Sequence, residues 1–274
     1  MNDNMIKILE LLKVTMKEPT NYSWFHLLFW VVVIGLTIFL CSTYKNPELK
    51  TVRKILKVFT YTLIGFEIYK QLVFSYSIVE GSVIWNYQWY IFPFQFCSTP
   101  MYAGLIAVHA KKESIRQKAL AFLATYSVFA GLAVMLYPND VFVSEIGINI
   151  QTMTHHGGML VIGVYLLYSR VVPIKLETIK KASIIFGIFL FIALILNIIV
   201  YKANIKEVFN MFYISPYYQC TLPVLNRIYQ KIPYFWFLLT YSLGFMGVAS
   251  IILGLSYLVK KMRLDHHQQR YYSK

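Results

Sequence analysis

Seven apolar stretches divide this 274-residue chain, at about Tyr22–Cys41, Ile55–Tyr76, Ile91–His109, Ala119–Tyr137, Ile148–Ser169, Ala182–Tyr201 and Pro233–Val259. Each is close to the ~20 residues that a helix needs to cross a bilayer. Charges avoid these stretches and collect between them. Only 14% of the residues are charged and 58% are hydrophobic, where a soluble domain carries roughly a quarter charged residues. The expectation is an all-α polytopic membrane protein with seven transmembrane helices. Residues 1–21 form an N-terminal amphipathic segment, residues 22–259 the transmembrane domain, and residues 260–274 a basic tail. In the first of these, Ile6, Leu9, Leu12 and Met16 recur at helical spacing among Lys and Glu. That pattern suits a helix lying on the membrane surface or one packed on the protein. The chain shows no internal repeat.

The net charge of +14 belongs to the loops and is not a nucleic-acid signal. Lys45, Lys50, Arg53 and Lys54 follow the first stretch; Lys111, Lys112, Arg116 and Lys118 the third; Arg170, Lys175, Lys180 and Lys181 the fifth; Lys260, Lys261 and Arg263 the last. The loops after the second and fourth stretches carry Glu80, and Asp140 with Glu145. Under the positive-inside rule the N-terminus is outside and the C-terminus cytoplasmic. The long loop 202–232, with Lys202, Lys206, Arg227 and Lys231, runs mildly against the rule, and long loops weigh less in it. Three cysteines, Cys41, Cys97 and Cys220, show no CxxC spacing and cannot form a complete disulfide set.

Polar groups at membrane depth are costly and so are functional candidates. Glu67, Lys70 and Gln71 fall on one face of the second helix by their spacing of three and four. They form either a self-neutralising pair or the wall of a site. The fifth helix carries His155 and His156 next to Gly157 and Gly158. Adjacent histidines point about 100° apart, so only one faces a given site. The glycines would admit a close neighbour. In the third stretch Cys97 sits about two turns in, after Pro93 and three phenylalanines and before Ser98 and Thr99. Counting 1.5 Å per residue from each outer end puts Cys97 roughly 9 Å, His156 roughly 12 Å and Glu67 roughly 13 Å deep, in one layer. Tyr241 and Ser242 fall in the same layer, and Asn197 lies nearer the outer end of the sixth helix.

A cysteine beside a histidine is the minimal kit for acyl transfer: imidazole takes the thiol proton, and the thiolate attacks an ester carbonyl to give a thioester. Ser98, Thr99 or Gln95 would steady the oxyanion. A zinc site from His155, His156 and Glu67 is disfavoured, because neighbouring histidines on one helix diverge.

The motifs carry a resemblance. Pro93, Phe94, Cys97 and Ser98 fill a Pro-Phe-x-x-Cys-Ser pattern, and Leu136, Pro138 and Asn139 a Leu-x-Pro-Asp/Asn pattern. His156 and Gly157 open a helix that ends in Leu167 and Tyr168; Asn197 and the late Pro233 and Tyr234 also fit. In this order they resemble the YwaF-like bacterial membrane proteins related to vertebrate transmembrane protein 164. The resemblance covers roughly helices two to seven. The stretch before the last helix departs from it, lacking the glycine expected ahead of Pro233 and Tyr234.

The resemblance implies a seven-helix fold in a bacterial cytoplasmic membrane and, from the vertebrate branch, a cysteine-dependent acyltransferase that remodels phospholipids. Distantly similar membrane hydrolases pair a hydroxyl nucleophile with a histidine. Carried over, Cys97 matches the nucleophile and His156 the base, with Glu67, Gln71, Ser98, His155 and Asn197 in support. The partner is a phospholipid or other acyl lipid, the setting the membrane, and no cofactor is implied. The rival reading is a transporter or ligand-binding protein whose path is lined by Glu67, Lys70 and His155. Internal repeats would favour it, and none is found.

Overall fold

The computed structural model describes residues 3–272, with side chains for residues 4–262. Among them are ten helices: α1 (Asp3–Leu12), α2 (Trp24–Thr43), α3 (Leu49–Val73), α4 (Thr99–His109), α5 (Glu113–Ala124), α6 (Tyr126–Leu136), α7 (Ile146–Tyr168), α8 (Leu176–Lys202), α9 (Leu225–Tyr229) and α10 (Tyr234–Tyr272). A hairpin of β1 (Tyr76–Val79) and β2 (Ser82–Trp85) follows α3. The molecule is thus mostly helical.

Four helices are long and apolar enough to cross a membrane: α2, the α5–α6 rod over Glu113–Leu136, α8, and α10 over Tyr234–Met262. They divide by burial. In the apolar window of the α5–α6 rod 72% is buried, against 22% in α2, 33% in α8 and 17% in α10. The rod is therefore the centre, and the other three turn apolar surface outward as lipid-facing helices do. The helices α4, α7 and α8 pack on α5, while α7 and α10 pack on α6. Outside this ring α2 and α3 lie against α7, and α3 also against α4. The rod breaks at Thr125, whose φ of −131° and ψ of −78° leave the helical region. The Thr125 hydroxyl donates to the Ala121 carbonyl at 2.7 Å, competing with the backbone ladder.

Glycines set the spacing of the rod and α7. A Cβ on Gly131 would stand 2.6 Å from the His156 carbonyl oxygen, and one on Gly163 2.8 Å from that of Leu123. Any side chain there would push α7 off the core.

Two stretches depart from the sequence reading. The expected third span is not one continuous helix. Residues 89–98 run as two short 3₁₀ turns, Trp89–Ile91 and Phe96–Ser98, joined by irregular chain, and the regular helix begins at Thr99. Pro93 offers no N–H to a helix; Pro100 occupies the first turn of α4, where that loss is harmless. The eleven residues of α4 give only about 16 Å of helix. Cys97 accordingly precedes a helix rather than sitting two turns inside one. The second correction is the hairpin. Helix α3 ends at Val73, and Tyr76 already pairs with Trp85. The turn is Glu80 and Gly81, with φ of 49° and 73°; positive φ at both central residues is the two-residue turn that matches strand twist.

The N-terminal segment packs on the protein. Leu9 is buried, and the Tyr76 hydroxyl donates to its carbonyl at 2.6 Å. The Tyr69 hydroxyl donates to the Leu12 carbonyl at 2.7 Å, and Met16 N–H to the Ser144 carbonyl at 2.8 Å. Of the two readings left open by the spacing, the row at Leu9 packs on the protein, while Met5, Ile8 and Leu11 are exposed on another face. Of the expected basic tail, residues 260–272 continue α10. The Arg263 side chain lies outside the described residues, as do Met1, Asn2, Ser273 and Lys274.

Candidate active site

The polar face of α3 comes first. Glu67 is buried, and its Oε1 receives Lys70 Nζ at 2.9 Å and Gln71 Nε2 at 2.7 Å. The self-neutralising pair expected from the spacing is therefore present. It also does more. Gln71 Nε2 donates to the Ile91 carbonyl at 2.7 Å, and Gln71 Oε1 accepts from the Tyr87 hydroxyl at 2.8 Å. The face thus holds the chain that leads toward Cys97. Glu67 Oε2 is buried with no partner.

The same chain is held from the opposite side. Gln95 donates through Nε2 to the Asn210 carbonyl at 3.1 Å and accepts from Phe212 N–H at 2.9 Å. The Tyr102 hydroxyl donates to the Pro93 carbonyl at 2.7 Å. Phe96 inserts among Phe122, Phe186, Phe212 and Phe245, with ring centroids 5.0–6.4 Å away. A half-buried aromatic side chain in contact with four other rings fixes its own backbone, so the residue after it has a defined position.

That residue is Cys97. It is half-buried, whereas Cys41 and Cys220 are buried. It lies just before Ser98, the N-cap of α4, at the helix end whose dipole favours an anion. Ser98 and Thr99 beside it are buried, and the Thr99 hydroxyl donates to the Phe96 carbonyl at 2.6 Å.

Helix α7 meets Cys97 through His155, whose Nε2 lies 2.8 Å from the Cys97 carbonyl oxygen. A carbonyl only accepts, so Nε2 carries the proton and Nδ1 is a bare lone pair. In His156 the roles reverse: Nδ1 lies 2.8 Å from the Thr152 carbonyl and donates to it, leaving Nε2 bare. Both bare nitrogens are buried with no hydrogen-bond partner. The two rings stand 5.4 Å apart with a 52° tilt. Helix α7 thus meets the Cys97 backbone through His155, with the His156 ring beside it, while Glu67, Lys70 and Gln71 contact one another on α3 and reach the Cys97 segment through the Ile91 carbonyl.

Other expected members have different work. Asn197 donates to the Met211 carbonyl at 3.0 Å and accepts from Met211 N–H at 2.7 Å, clamping the 209–215 loop. One N–H of the Gln95 amide goes to that loop and its oxygen accepts from it, and the Thr99 hydroxyl proton is taken by the Phe96 carbonyl. The Tyr241 hydroxyl donates to Phe212 and that of Ser242 to Leu238. Gly157 admits the Val33 side chain of α2. No group of three or more His, Cys, Asp or Glu able to hold a metal ion occurs among the described residues. Tyr87, which orients Gln71, was not found from the sequence; a lone tyrosine in a polar loop carries no periodic signal.

The model of the TMEM164 family matches residues 19–257. No curated protein and no solved structure gives a match.

Proposed function

This chain belongs to the TMEM164 family, and we propose that it is a membrane lipid acyltransferase or lipid-ester hydrolase in which Cys97 is the nucleophile and His156 the general base. One observation carries the reading. The hydrogen bond from His155 to the Cys97 carbonyl draws the histidine pair of α7 against the turn that presents the thiol. Because His155 spends Nε2 on that carbonyl, its Nδ1 points from the far side of the ring. His156 is left with a bare Nε2 directed away from its own helix.

The chemistry balances without a cofactor. His156 Nε2 takes the thiol proton, and the Cys97 sulfur adds to the ester carbonyl carbon. The tetrahedral intermediate collapses by breaking the C–O bond, and the imidazolium returns its proton to the departing alkoxide. An acceptor hydroxyl, from a lysolipid or from water, then attacks the thioester while His156 Nε2 takes its proton; the C–S bond breaks, and the imidazolium returns the proton to the Cys97 sulfur. The positive end of α4 favours the thiolate, and Glu67 with Lys70 and Gln71 holds the approach chain in place.

The setting belongs to the same proposal. Helices α3, α4 with its irregular lead-in, and α7 cross the membrane along with the four apolar ones, giving seven. Irregular backbone at membrane depth is tolerated where protein surrounds it, and residues 89–98 are held on both sides. The membrane is a bacterial cytoplasmic one with the N-terminus outside, and the lipid enters from the outer leaflet.

The test is transfer of a labelled acyl chain from phospholipid to lysophospholipid in reconstituted vesicles. Cys97→Ser should lose activity by about a hundredfold or more, since a serine hydroxyl is almost never ionised near neutral pH. His156→Ala should lose a similar amount, and the double variant no more than either, because the two act as one unit. Activity near the wild-type level in well-folded Cys97→Ser overturns the proposal and returns the chain to the transporter or binding class.

A further inference from the structure

A groove of about 590 Å³ runs between α2, α3 and α7. Its shaft is apolar, lined by residues such as Val33, Phe59 and Gly158; at one end stand Tyr44, Lys50 and Lys54. It is not the site of the histidines. The groove uses Met153, Thr154, Gly157, Gly158, Val161 and Ile162 of α7, and neither His155 nor His156 lines it. Along α2 it extends from Phe29 to Tyr44, about 22 Å of helix. A single leaflet of hydrocarbon is about 15 Å deep, so the shaft is long enough for one acyl chain with its head at the lysine end.

The charge decides what the occupant carries. Lys50 and Lys54 are the charged groups of the lining, and no carboxylate joins them. Both are exposed at the start of α3. The same end of the molecule repeats the pattern. A second groove, of about 410 Å³, lies between α6, α7 and α10 and is also mostly apolar, with Arg170, just past the end of α7, and Lys260, within α10, in its lining. Cations next to apolar grooves at one level of the protein mark the headgroup layer of an anionic leaflet.

We propose that the α2–α3–α7 groove is a second lipid site, separate from Cys97, which holds an anionic phospholipid: one acyl chain fills the shaft and the phosphate lies on Lys50 and Lys54. This lipid is bound and not turned over, since no residue of the Cys97 cluster lines the groove.

The experiment is native mass spectrometry of the full chain in mild detergent, titrated with phosphatidylglycerol or phosphatidylcholine of matched acyl chains. Wild type should retain phosphatidylglycerol in preference. Lys50→Gln with Lys54→Gln should weaken that retention roughly tenfold and leave phosphatidylcholine unchanged. Lys50→Arg with Lys54→Arg should keep it. Thr62→Trp, at an exposed lining position, should block the shaft and weaken both lipids. A lipid in the Cys97 site is indifferent to all three changes, so failure here leaves the catalytic reading standing. Equal retention of the two lipids by wild type, or glutamine variants that bind like wild type, overturns the proposal. So does glycerol phosphate displacing the lipid as well as phosphatidylglycerol does, which would mark a site for a soluble phosphate. An unaffected Thr62→Trp also overturns it, because the headgroup would then bind without the groove.

Discussion

The two histidines of α7 are chemically alike and structurally opposite. His155 carries its proton on Nε2 and gives it to the Cys97 backbone; His156 carries it on Nδ1 and gives it to Thr152. Their substitutions should separate accordingly. His156→Ala should abolish acyl transfer with little change in melting temperature. His155→Ala leaves the Cys97 carbonyl without its donor, which costs about 1–3 kcal/mol. It should lower the melting temperature and reduce activity only in part, as measured by thermal unfolding and kcat on the same preparations. If His155→Ala is the dead variant and His156→Ala stays active, the roles are reversed. The residues of this cluster were legible because lipid makes polar groups costly, and so Cys97, Glu67 and the histidine pair stood out from the apolar stretches. Their partners were not legible. Gln95 and Asn197 have the right chemistry for a site, but an amide binds whichever backbone it meets, and here both meet the 209–215 loop.

At the scale of elements, the segment 89–98 is the one whose shape matters most, and it has almost no regular structure. Its position comes from side chains on α3, α8 and the 209–215 loop, acting at long range in sequence. Asn197→Ala removes both bonds to Met211 and should cost about 1–3 kcal/mol. The loop then loosens over Phe96. The expected result is faster proteolysis within residues 203–233 and a lower melting temperature, with the thiol still present. An unchanged digestion pattern would mean that Gln95 and Tyr241 hold the loop without it. Helices were read well where apolar length set them, as in α2, α8 and α10. The third stretch was misread because hydropathy counts apolar residues whether or not the backbone between two prolines is helical. The hairpin had a local signal, Glu80 and Gly81 between runs rich in Val and Ile, which an emphasis on membrane spans passed over.

At the scale of the whole molecule, the charged loops and the packing agree on two ends. The N-terminal segment, the hairpin, residues 137–145 and the 209–215 loop meet at one end; Lys50, Lys54, Arg170 and Lys260 lie at the other. A reporter fused after Lys274 should be cytoplasmic and one inserted at Glu80 external, read by compartment-specific phosphatase and fluorescence signals. The opposite pattern would move the Cys97 cluster to the inner leaflet. The expected orientation rests on lysine and arginine placement alone, which needs no knowledge of packing.

The hydrogen bonds of the N-terminal segment have a further consequence, which is one of counting. Two points that touch outside the bilayer lie on the same side of it, so the chain between them crosses an even number of times. Leu9 and Leu12 touch Tyr76 and Tyr69, with only α2 and α3 between: if α2 crosses, α3 crosses. Met16 touches Ser144 across α2, α3, α4 and the α5–α6 rod, so if α2, α3 and the rod cross, the same count requires the eleven-residue α4 to cross too. Trp89, at the start of the irregular segment, touches Glu207 across α4, the rod, α7 and α8; if that contact lies outside the bilayer, α7 crosses whenever the other three do. Counted this way, the contacts are compatible with the seven crossings proposed above, of which four are long and apolar enough on their own. With the seven crossings proposed above the two termini would lie in different compartments, and a tag that traps the N-terminus beside the C-terminus should then break the Met16–Ser144 contact and unseat the whole outer end.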